Sequence, residues 1–282
     1  FPNHYSIATG CYSETHKITG NNFYSKEFGE KYSYRDSYKV RDAKFYDCEP
    51  IWSTAERQNV STAAYFWVGS EAKVKGFHPS IYKNYETGIS FKSRIDSAMT
   101  WLNLPKKIRP YLIMLYFSEP DHIAHEKGPD DTAVLEKVEY MDNILGYLLD
   151  EIKKINISTK INLIVVSDHG ITSISKKRRI ILDDYLTNLK SWYVNGQGPV
   201  VQLDRKKKYD SKLLDQIRKE IKSIPNVNVY EKNDLPKDLH FNNINTGEFV
   251  IIADEGWMIS TKWTIKNSIF SLKGMHGFNP SL

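Results

Sequence analysis

The residues best suited to chemistry in this chain are aspartates and histidines that occur together at three places. They are Asp121 with His125, Asp168 with His169, and His276. Zinc binds imidazole nitrogen and carboxylate oxygen at about 2.0–2.2 Å, whereas a structural zinc favours four closed Cys or His ligands. Two aspartates and three histidines therefore suit two zinc ions with mixed ligands. Two metals about 4 Å apart can hold the attacking and the leaving oxygen of a displacement at phosphorus.

An ordinary polar loop is the alternative for Asp168-His169-Gly170 taken by itself. The chain contains only eight histidines, and three groups with aspartate or histidine are more than chance usually supplies. We therefore predict that Asp121, His125 and His276 converge. We expect Asp168 and His169 within about one metal–metal spacing of that group, roughly 4 Å beyond ligand reach.

Two apolar runs precede the first two pairs and predict the elements that position them. Tyr111–Phe117 and Ile161–Val166 are typical of strands buried on both faces of a parallel sheet. An apolar stripe at helical spacing lies between them and consists of Leu135, Val138, Met141, Leu145, Leu148 and Ile152. Strand, helix and strand in this order form a βαβ unit. The carboxyl ends of parallel strands meet at one edge, where ligands bind, so we place the Asp/His groups on loops there.

The pattern of elements predicts the fold class. Ala63–Val68 reads as a further buried strand and Ser90–Leu104 as a helix. After residue 180, strand and helix patterns of another kind indicate a small α+β subdomain, inserted at about residues 185–260. We predict an α/β protein, an α/β/α sandwich with a central, mostly parallel sheet and this inserted subdomain.

Composition excludes some classes of function. The 282 residues carry a net charge of +5, and no apolar run approaches the roughly 20 residues that span a bilayer. The basic runs Lys176–Arg179 and Arg205–Lys208 lie beside predicted strands, which favours solvated loops, and no signature of nucleic-acid duplex binding surrounds them.

Cys11 and Cys48 are too few for a disulfide scaffold, so one surface disulfide or two free thiols both remain open.

Several motifs together resemble a known family in their order and spacing. They are Phe1–Gly10 (FPNHYSIATG), Glu49–Trp52 (EPIW), Phe66–Ser70 (FWVGS), Glu119-Pro120-Asp121 with His125, Ser167–Gly170 (SDHG) and His276-Gly277. The chain resembles the ecto-nucleotide pyrophosphatase/phosphodiesterases of the alkaline-phosphatase superfamily over nearly its whole length. Ala253–Trp257 (ADEGW) resembles the shorter members with one catalytic domain. The resemblance implies a zinc-dependent hydrolase that cleaves phosphodiester or pyrophosphate bonds of small nucleotides.

The resemblance also implies roles for individual residues. Asp121, His125 and His276 match the ligands of one zinc, and Asp168 and His169 match two ligands of the other. Three further residues match the family's substrate site. The Asn21 amide would stabilise a phosphoryl oxygen, as in an oxyanion hole. The rings of Phe1 and Tyr85 would stack on the base. His4 and His240 are interpreted as structural histidines.

The family's nucleophile is a threonine immediately before the stretch that matches Phe1-Pro2-Asn3-His4, and its remaining ligand for the second zinc lies further upstream. We therefore expect residues 1–282 to be part of a phosphodiesterase catalytic domain that lacks both ends. This polypeptide alone should be inactive while its parent is active.

Departures from the family pattern keep other readings open. His122 and Ala124 replace small residues or glycine, and His122 could intrude on the metal site. Val68 replaces a common proline beside the base pocket. The rivals are a choline-phospholipid phosphodiesterase of the same family and a non-catalytic cell-surface pseudoenzyme. A sulfatase or phosphomonoesterase is a more distant rival, and no Cys-x-Pro-x-Arg sulfatase motif is present.

The resemblance places the parent protein outside the cell or at its surface, with any membrane anchor outside this chain. Two N-glycosylation sequons, at Asn59 and Asn156, agree with that setting. Cys11 and Cys48 could then pair, which requires Cα atoms closer than about 7 Å.

Overall fold

A computed structural model describes residues 1–157, 160–206, 211–267 and 272–279 of the chain. The contacts within it divide the chain into two compact units. Unit 1 consists of Phe1–Lys17, Tyr32–Pro120 and Leu135–Asp168. Unit 2 consists of Ile18–Lys31, Asp121–Val134 and His169–Leu282.

Unit 1 contains a parallel sheet of three strands in the order β4-β3-β5. The strands are β3 (Thr62–Tyr65), β4 (Ile81–Lys83) and β5 (Leu112–Leu115), and β3 is parallel to both neighbours. Because β3 lies in the middle, all four of its residues are buried, as its apolar composition predicts. This parallel sheet and the helices beside it confirm the predicted α/β class.

The helices of unit 1 begin and end close to their sequence signals. They are α1 (Pro2–Thr9), α2 (Ser13–His16), α3 (Ser37–Arg41), α4 (Ile51–Arg57), α5 (Phe91–Leu102) and most of α7 (Thr132–Lys154). Ser90 caps α5, since its hydroxyl accepts a hydrogen bond of 3.1 Å from the Ser93 N–H. The second half of α7 packs into the core through Ile144 and Leu148. The predicted stripe is only partly buried, because Leu135 and Val138 at its start are exposed.

The prediction of a buried strand over Ile161–Val166 is wrong. No residue of this run lies in a strand, and the Ile164 side chain is 80% exposed. Apolar β-branched residues form a strand only where a neighbouring strand pairs with their backbone. Within the described residues, β5 is the last strand on its side of the sheet. The predicted Tyr111–Phe117 strand is also shorter, and β5 is only half-buried.

A disulfide joins Cys11 to Cys48, with a Cα–Cα distance of 6.7 Å. It connects the segment after α1 to the segment before α4. Cys48 has a left-handed backbone, and its carbonyl accepts a hydrogen bond of 3.0 Å from the Tyr5 hydroxyl. Of the two open possibilities for the cysteines, the structure therefore contains the paired one.

Unit 2 is built on an antiparallel sheet in the order β10-β11-β9-β8. Its strands are β8 (Trp192–Asn195), β9 (Val200–Arg205), β10 (Val227–Glu231) and β11 (Phe249–Ala253). Every residue of β11 is buried, because alternate side chains enter hydrophobic clusters on its two faces. Helix α8 (Ser211–Glu220) packs Leu213 and Ile217 onto one of these clusters. The boundaries of an inserted subdomain at about 185–260 stay a prediction.

The remaining elements are short. Strands β1 (Asn22–Ser25) and β2 (Glu30–Ser33) pair with each other, β7 (Arg179–Ile181) pairs with β12 (Met258–Ser260), and β6 (Thr172–Ser173) pairs with β13 (Gly274–Met275). The last two helices are α6 (Asp121–Lys127) and α9 (Lys262–Asn267). Lys176 and Lys177 lie in an exposed turn, while Lys207 and Lys208 lie outside the described residues. No described helix has the length and apolarity needed to span a membrane.

Candidate metal centre

Helix α6 in unit 2 places Asp121 and His125 on one face. Asp121 is its first residue and His125 lies one turn later, so the i, i+4 spacing brings the side chains together. Asp121 Oδ1 lies 3.3 Å from His125 Nε2. The prediction of a loop at this place is therefore wrong, because the residues after cis-Pro120 form a helical turn.

The pairing of β6 with β13 brings two further histidines of unit 2, His169 and His276, together. Met275 is opposite Thr172 in this antiparallel pair, so His276 follows β13 where His169-Gly170 precedes β6. The rings of His169 and His276 stack with centroids 3.5 Å apart. His276 Nε2 lies 3.8 Å from Asp121 Oδ1, and its ring centroid lies 5.0 Å from that of His125.

Asp121, His125 and His276 therefore converge as the sequence predicts. One ligand atom from each residue lies within 4.8 Å of the other two. Asp121 Oδ1 is buried and has no hydrogen-bond partner in the part of the chain that the structure describes. Such an atom is costly unless a cation or donor satisfies it. The residues thus fit one divalent metal with mixed oxygen and nitrogen ligands.

A backbone carbonyl orients His125 for such a role. The Nδ1–H of His125 donates to the carbonyl oxygen of Gly274 over 2.8 Å, which leaves the Nε2 lone pair facing Asp121. Metal-binding histidines commonly use their second nitrogen in this way, and the bond fixes the tautomer. The Lys273 N–H also donates to the His125 carbonyl over 2.9 Å, so β13 and α6 are joined at two points.

The groups of the cluster shift one another's pKa values. Burial opposes ionisation of Asp121, but His125, His276 and His169 together hold its pKa below the usual range. The contact with Asp121 raises the pKa of His125. Burial and the neighbouring His169 ring lower the pKa of His276 to about 4. A neutral His276 at neutral pH keeps a nitrogen lone pair available.

Gly274 shapes the candidate metal centre, and sequence reasoning did not single it out. A Cβ at this position would lie 2.3 Å from the Ala124 carbonyl oxygen, so only glycine lets β13 approach α6 this closely. Ala124 is itself buried on α6, whereas His122 is exposed on the same helix. His122 is thus not one of the three residues that converge. The signal in the sequence was the glycine two residues before His276.

Asp168 belongs to unit 1, although His169 beside it belongs to unit 2. Its carboxylate Oδ2 lies 3.3 Å from His4 Nδ1, and its backbone oxygen accepts a hydrogen bond from the Asn3 amide. The His4 ring makes edge contacts with the rings of Trp67 and Tyr116, so His4 is packed, as predicted. The grouping of Asp168 and His169 at one metal stays a prediction.

Of the three predicted substrate residues, Asn21 belongs to unit 2, and Phe1 and Tyr85 belong to unit 1. Asn21 is exposed in the bend before β1 of unit 2. In unit 1, the Phe1 ring lies 5.7 Å from that of Tyr32. Tyr85 is 56% exposed, with its ring 5.1 Å from that of Phe66. Their roles toward a substrate stay predictions.

Comparison with known proteins agrees with the predicted resemblance. Residues 1–279 match the family described as type I phosphodiesterase / nucleotide pyrophosphatase. A venom phosphodiesterase of Naja atra is 34% identical over 99% of this chain and 34% of its own length. Human ectonucleotide pyrophosphatase/phosphodiesterase family member 1 is 38% identical over 86% of this chain and 26% of its own length. The chain thus spans about a third or less of these curated relatives.

Solved structures share the fold over the whole chain. Murine ectonucleotide pyrophosphatase/phosphodiesterase 5 superposes with a TM-score of 0.89 at 31% identity, covering 100% of this chain and 73% of its own. An inactive threonine-to-alanine variant of that murine protein in complex with AMP matches equally well. The fold is therefore the alkaline-phosphatase-like α/β fold predicted from the sequence, and the chain belongs to the type I phosphodiesterase / nucleotide pyrophosphatase family.

Proposed function

We propose that this chain forms most of the catalytic domain of a two-zinc phosphodiesterase/pyrophosphatase that cleaves nucleotide phosphodiester or pyrophosphate bonds. The observation that carries the proposal is the convergence of Asp121, His125 and His276, with the His125 tautomer fixed by Gly274. Membership of the family supports the same reaction class. An inserted subdomain at about residues 185–260 is part of this proposal.

The first zinc would be held by Asp121, His125 and His276. Bound there, zinc would supply positive charge that polarises a phosphoryl oxygen. Asp121 contributes a buried anionic oxygen that has no hydrogen bond among the described residues. His276 contributes a neutral nitrogen, because its pKa is lowered to about 4. His125 contributes Nε2, because in the neutral ring the bond from Nδ1–H to the Gly274 carbonyl leaves Nε2 without a proton.

Asp168 and His169 are proposed as two ligands of the second zinc, and a threonine before Phe1 in the whole protein as the nucleophile. Its oxygen would attack phosphorus and displace the leaving oxygen, forming a phosphothreonine that water then hydrolyses. The inactive threonine-to-alanine variant of the murine relative supports this role for a threonine. The Asn21 amide would donate a hydrogen bond to the phosphoryl oxygen as negative charge grows on it.

The substrate is proposed to be a small nucleotide whose base stacks on Phe1 and Tyr85. The AMP complex of the murine relative supports a nucleotide ligand. Tyr85 is exposed enough to offer one face of its ring, and aromatic faces recognise bases of any sequence by stacking.

The protein is proposed to act outside the cell or at its surface. The relatives are named as venom and ectonucleotide enzymes, and the disulfide between Cys11 and Cys48 is typical of oxidising compartments. Asn59 of the first sequon is exposed and accessible to a glycan. The second sequon includes Ser158, which lies outside the described residues.

The test is hydrolysis of a nitrophenyl thymidine phosphate ester by the whole protein, before and after removal of metal and after return of zinc. His125→Gln should lower turnover roughly a hundredfold or more, since a metal ligand is lost. His122→Gln on the same helix is the matched control and should leave turnover unchanged.

The alternatives predict different results in the same assay. Faster hydrolysis of nitrophenyl phosphocholine than of the nucleotide ester would favour the choline-phospholipid enzyme. Zinc binding without hydrolysis of either substrate would favour the pseudoenzyme. Full activity in the His125→Gln variant would refute the assignment of the metal centre.

A further inference from the structure

Arg94 in helix α5 is a buried cation without an acidic partner. Arg94 is 4% exposed. In the part of the chain that the structure describes, no carboxylate forms an ion pair with it. Its guanidinium donates to two backbone carbonyls, at 2.5 Å to Tyr116 and at 3.2 Å to Ile89. Its Nε is buried without a hydrogen bond.

Two aromatic rings cover the Arg94 guanidinium. The guanidinium carbon lies 4.9 Å from the ring centroid of Phe66 and 4.9 Å from that of Phe91. A planar guanidinium can stack on aromatic faces while its edge donates hydrogen bonds, which lysine cannot reproduce. Arg94 therefore connects the end of β5, the loop before α5 and the residue after β3.

Burying this charge is unfavourable, as the lowered pKa of Arg94 through burial also indicates. An apolar side chain of similar volume would avoid that desolvation. It could not hold the Tyr116 and Ile89 carbonyls, nor fix the plane of the Phe66 ring. The feature that distinguishes arginine here is thus the geometry it imposes on these neighbours.

Phe66 needs such support because its backbone is strained. Its φ is +66°, a left-handed conformation that disfavours residues with a Cβ. Residues of this kind persist where the surrounding contacts determine their conformation fully. The Phe66 ring lies between Arg94 and the exposed Tyr85, with its centroid 5.1 Å from that of Tyr85.

We propose that Arg94 is a positioning residue that acts through Phe66 to hold Tyr85 as one wall of the nucleobase site. The inference rests on the proposed function, in which Tyr85 stacks on the base. A second contact fixes the main chain of Tyr85, whose N–H donates to Glu71 over 2.9 Å. Arg94 and Phe66 determine the place of its ring.

The test separates base recognition from chemistry by comparing two substrates in the whole protein. One is a nitrophenyl thymidine phosphate ester, and the other is bis-nitrophenyl phosphate, which has no base. Arg94→Met should raise KM for the nucleotide ester roughly three- to tenfold, the range expected for the loss of one well-placed aromatic contact. KM for bis-nitrophenyl phosphate, and kcat for both substrates, should change less than about twofold.

Control variants keep the test decisive. Arg109→Met removes another arginine that donates to a backbone carbonyl in unit 1, that of Leu104, and it should leave both KM values unchanged. Phe66→Leu removes the ring between Arg94 and Tyr85. Phe66→Leu should reproduce the rise in KM for the nucleotide ester alone. If Arg94→Met does not fold, this variant tests whether the contact through Phe66 positions Tyr85.

The outcomes distinguish this inference from the proposed function. Tyr85→Leu should raise KM for the nucleotide ester at least as much as Arg94→Met does. If Tyr85→Leu has no effect, the base-stacking role itself is wrong. If Tyr85→Leu has the effect but Phe66→Leu and Arg94→Met do not, or if they impair both substrates equally, the positioning role of Arg94 is overturned.

Discussion

His16 in unit 1 and His125 in unit 2 both lie on helices and both form hydrogen bonds. Their pKa values are shifted in opposite directions. His16 is fully buried, its Nε2 lies 2.9 Å from the Ser6 hydroxyl, and its ring packs edge-on against Tyr5. Burial lowers its pKa to about 4. His125 is partly exposed beside Asp121, and that carboxylate raises its pKa.

The difference shows what separates a structural histidine from a candidate metal ligand. Both histidines have one nitrogen engaged in a hydrogen bond. The second nitrogen of His125 lies 3.3 Å from Asp121 Oδ1, and Nε2 of His276 lies 3.8 Å from the same carboxylate oxygen. A histidine in apolar packing is kept neutral by desolvation, whereas one beside a carboxylate shares a site where a cation is favoured.

The largest expected effect is the loss of turnover when Asp121, the carboxylate beside His125, is replaced. Asp121→Asn keeps the shape of the side chain but removes the only carboxylate of the cluster found among the described residues. We expect turnover to fall roughly a thousandfold, because several kcal/mol of charge stabilisation at the metal are lost. Zinc content by mass spectrometry and steady-state hydrolysis are the measurements. Unchanged zinc content would contradict the ligand role.

The second prediction concerns His16 and the pH dependence of stability. In the unfolded chain His16 takes up a proton below about pH 6.5, but in the folded chain only below about 4. The unfolded state therefore binds more protons between these values, so stability falls as the pH is lowered from 6.5 to 4. With the folded pKa at about 4, the contribution is about 3 kcal/mol, and it should level off below that pH.

Urea unfolding of the wild type and of His16→Gln across this pH range measures the effect. Glutamine does not titrate, so the difference between the two curves isolates His16 from the carboxylates that also titrate in acid. Parallel curves for the two proteins would show that His16 is not held neutral by the fold.

The third prediction concerns Gly274, whose backbone carbonyl orients His125 at the candidate metal centre. Gly274→Ala would place a Cβ 2.3 Å from the Ala124 carbonyl, so β13 must move away from α6. The bond that orients His125 would then be lost, and zinc affinity should fall about 10- to 100-fold. Zinc titration calorimetry is the measurement. Gly146→Ala in α7, where a Cβ meets no atom within 4 Å, is the control.

The smallest expected effect concerns His4, the histidine beside Asp168 in unit 1. His4→Phe keeps an aromatic ring against Trp67 and Tyr116 but removes the nitrogen near the carboxylate. We expect turnover to fall about tenfold, at the low end for a residue that orients a ligand, with little change in the unfolding midpoint. Full turnover of the variant would show that His4, like His16, has only a packing role.

Local patterns in the sequence determined much of the secondary structure and identified the members of the candidate metal cluster. The apolar runs at β3 and β11 predicted strands that are buried on both faces, and Ser90 marked the start of α5. Asp121 and His125 were identified because their residue types suit zinc and their spacing follows a family motif. Such signals depend on side-chain chemistry and on the period of a helix or strand, which a short stretch of chain contains in full.

Other features depended on the tertiary structure, because they need partners that are distant in the chain. Ile161–Val166 has strand composition, but no described strand pairs with it. The sequence left the two cysteines open, and only folding brings Cys11 and Cys48 within bonding distance. The pairing of β6 with β13 brings His276 to His169, and the Gly274 carbonyl selects the His125 tautomer. Register and hydrogen bonds between remote segments decided these points, since residue type alone does not specify which groups meet.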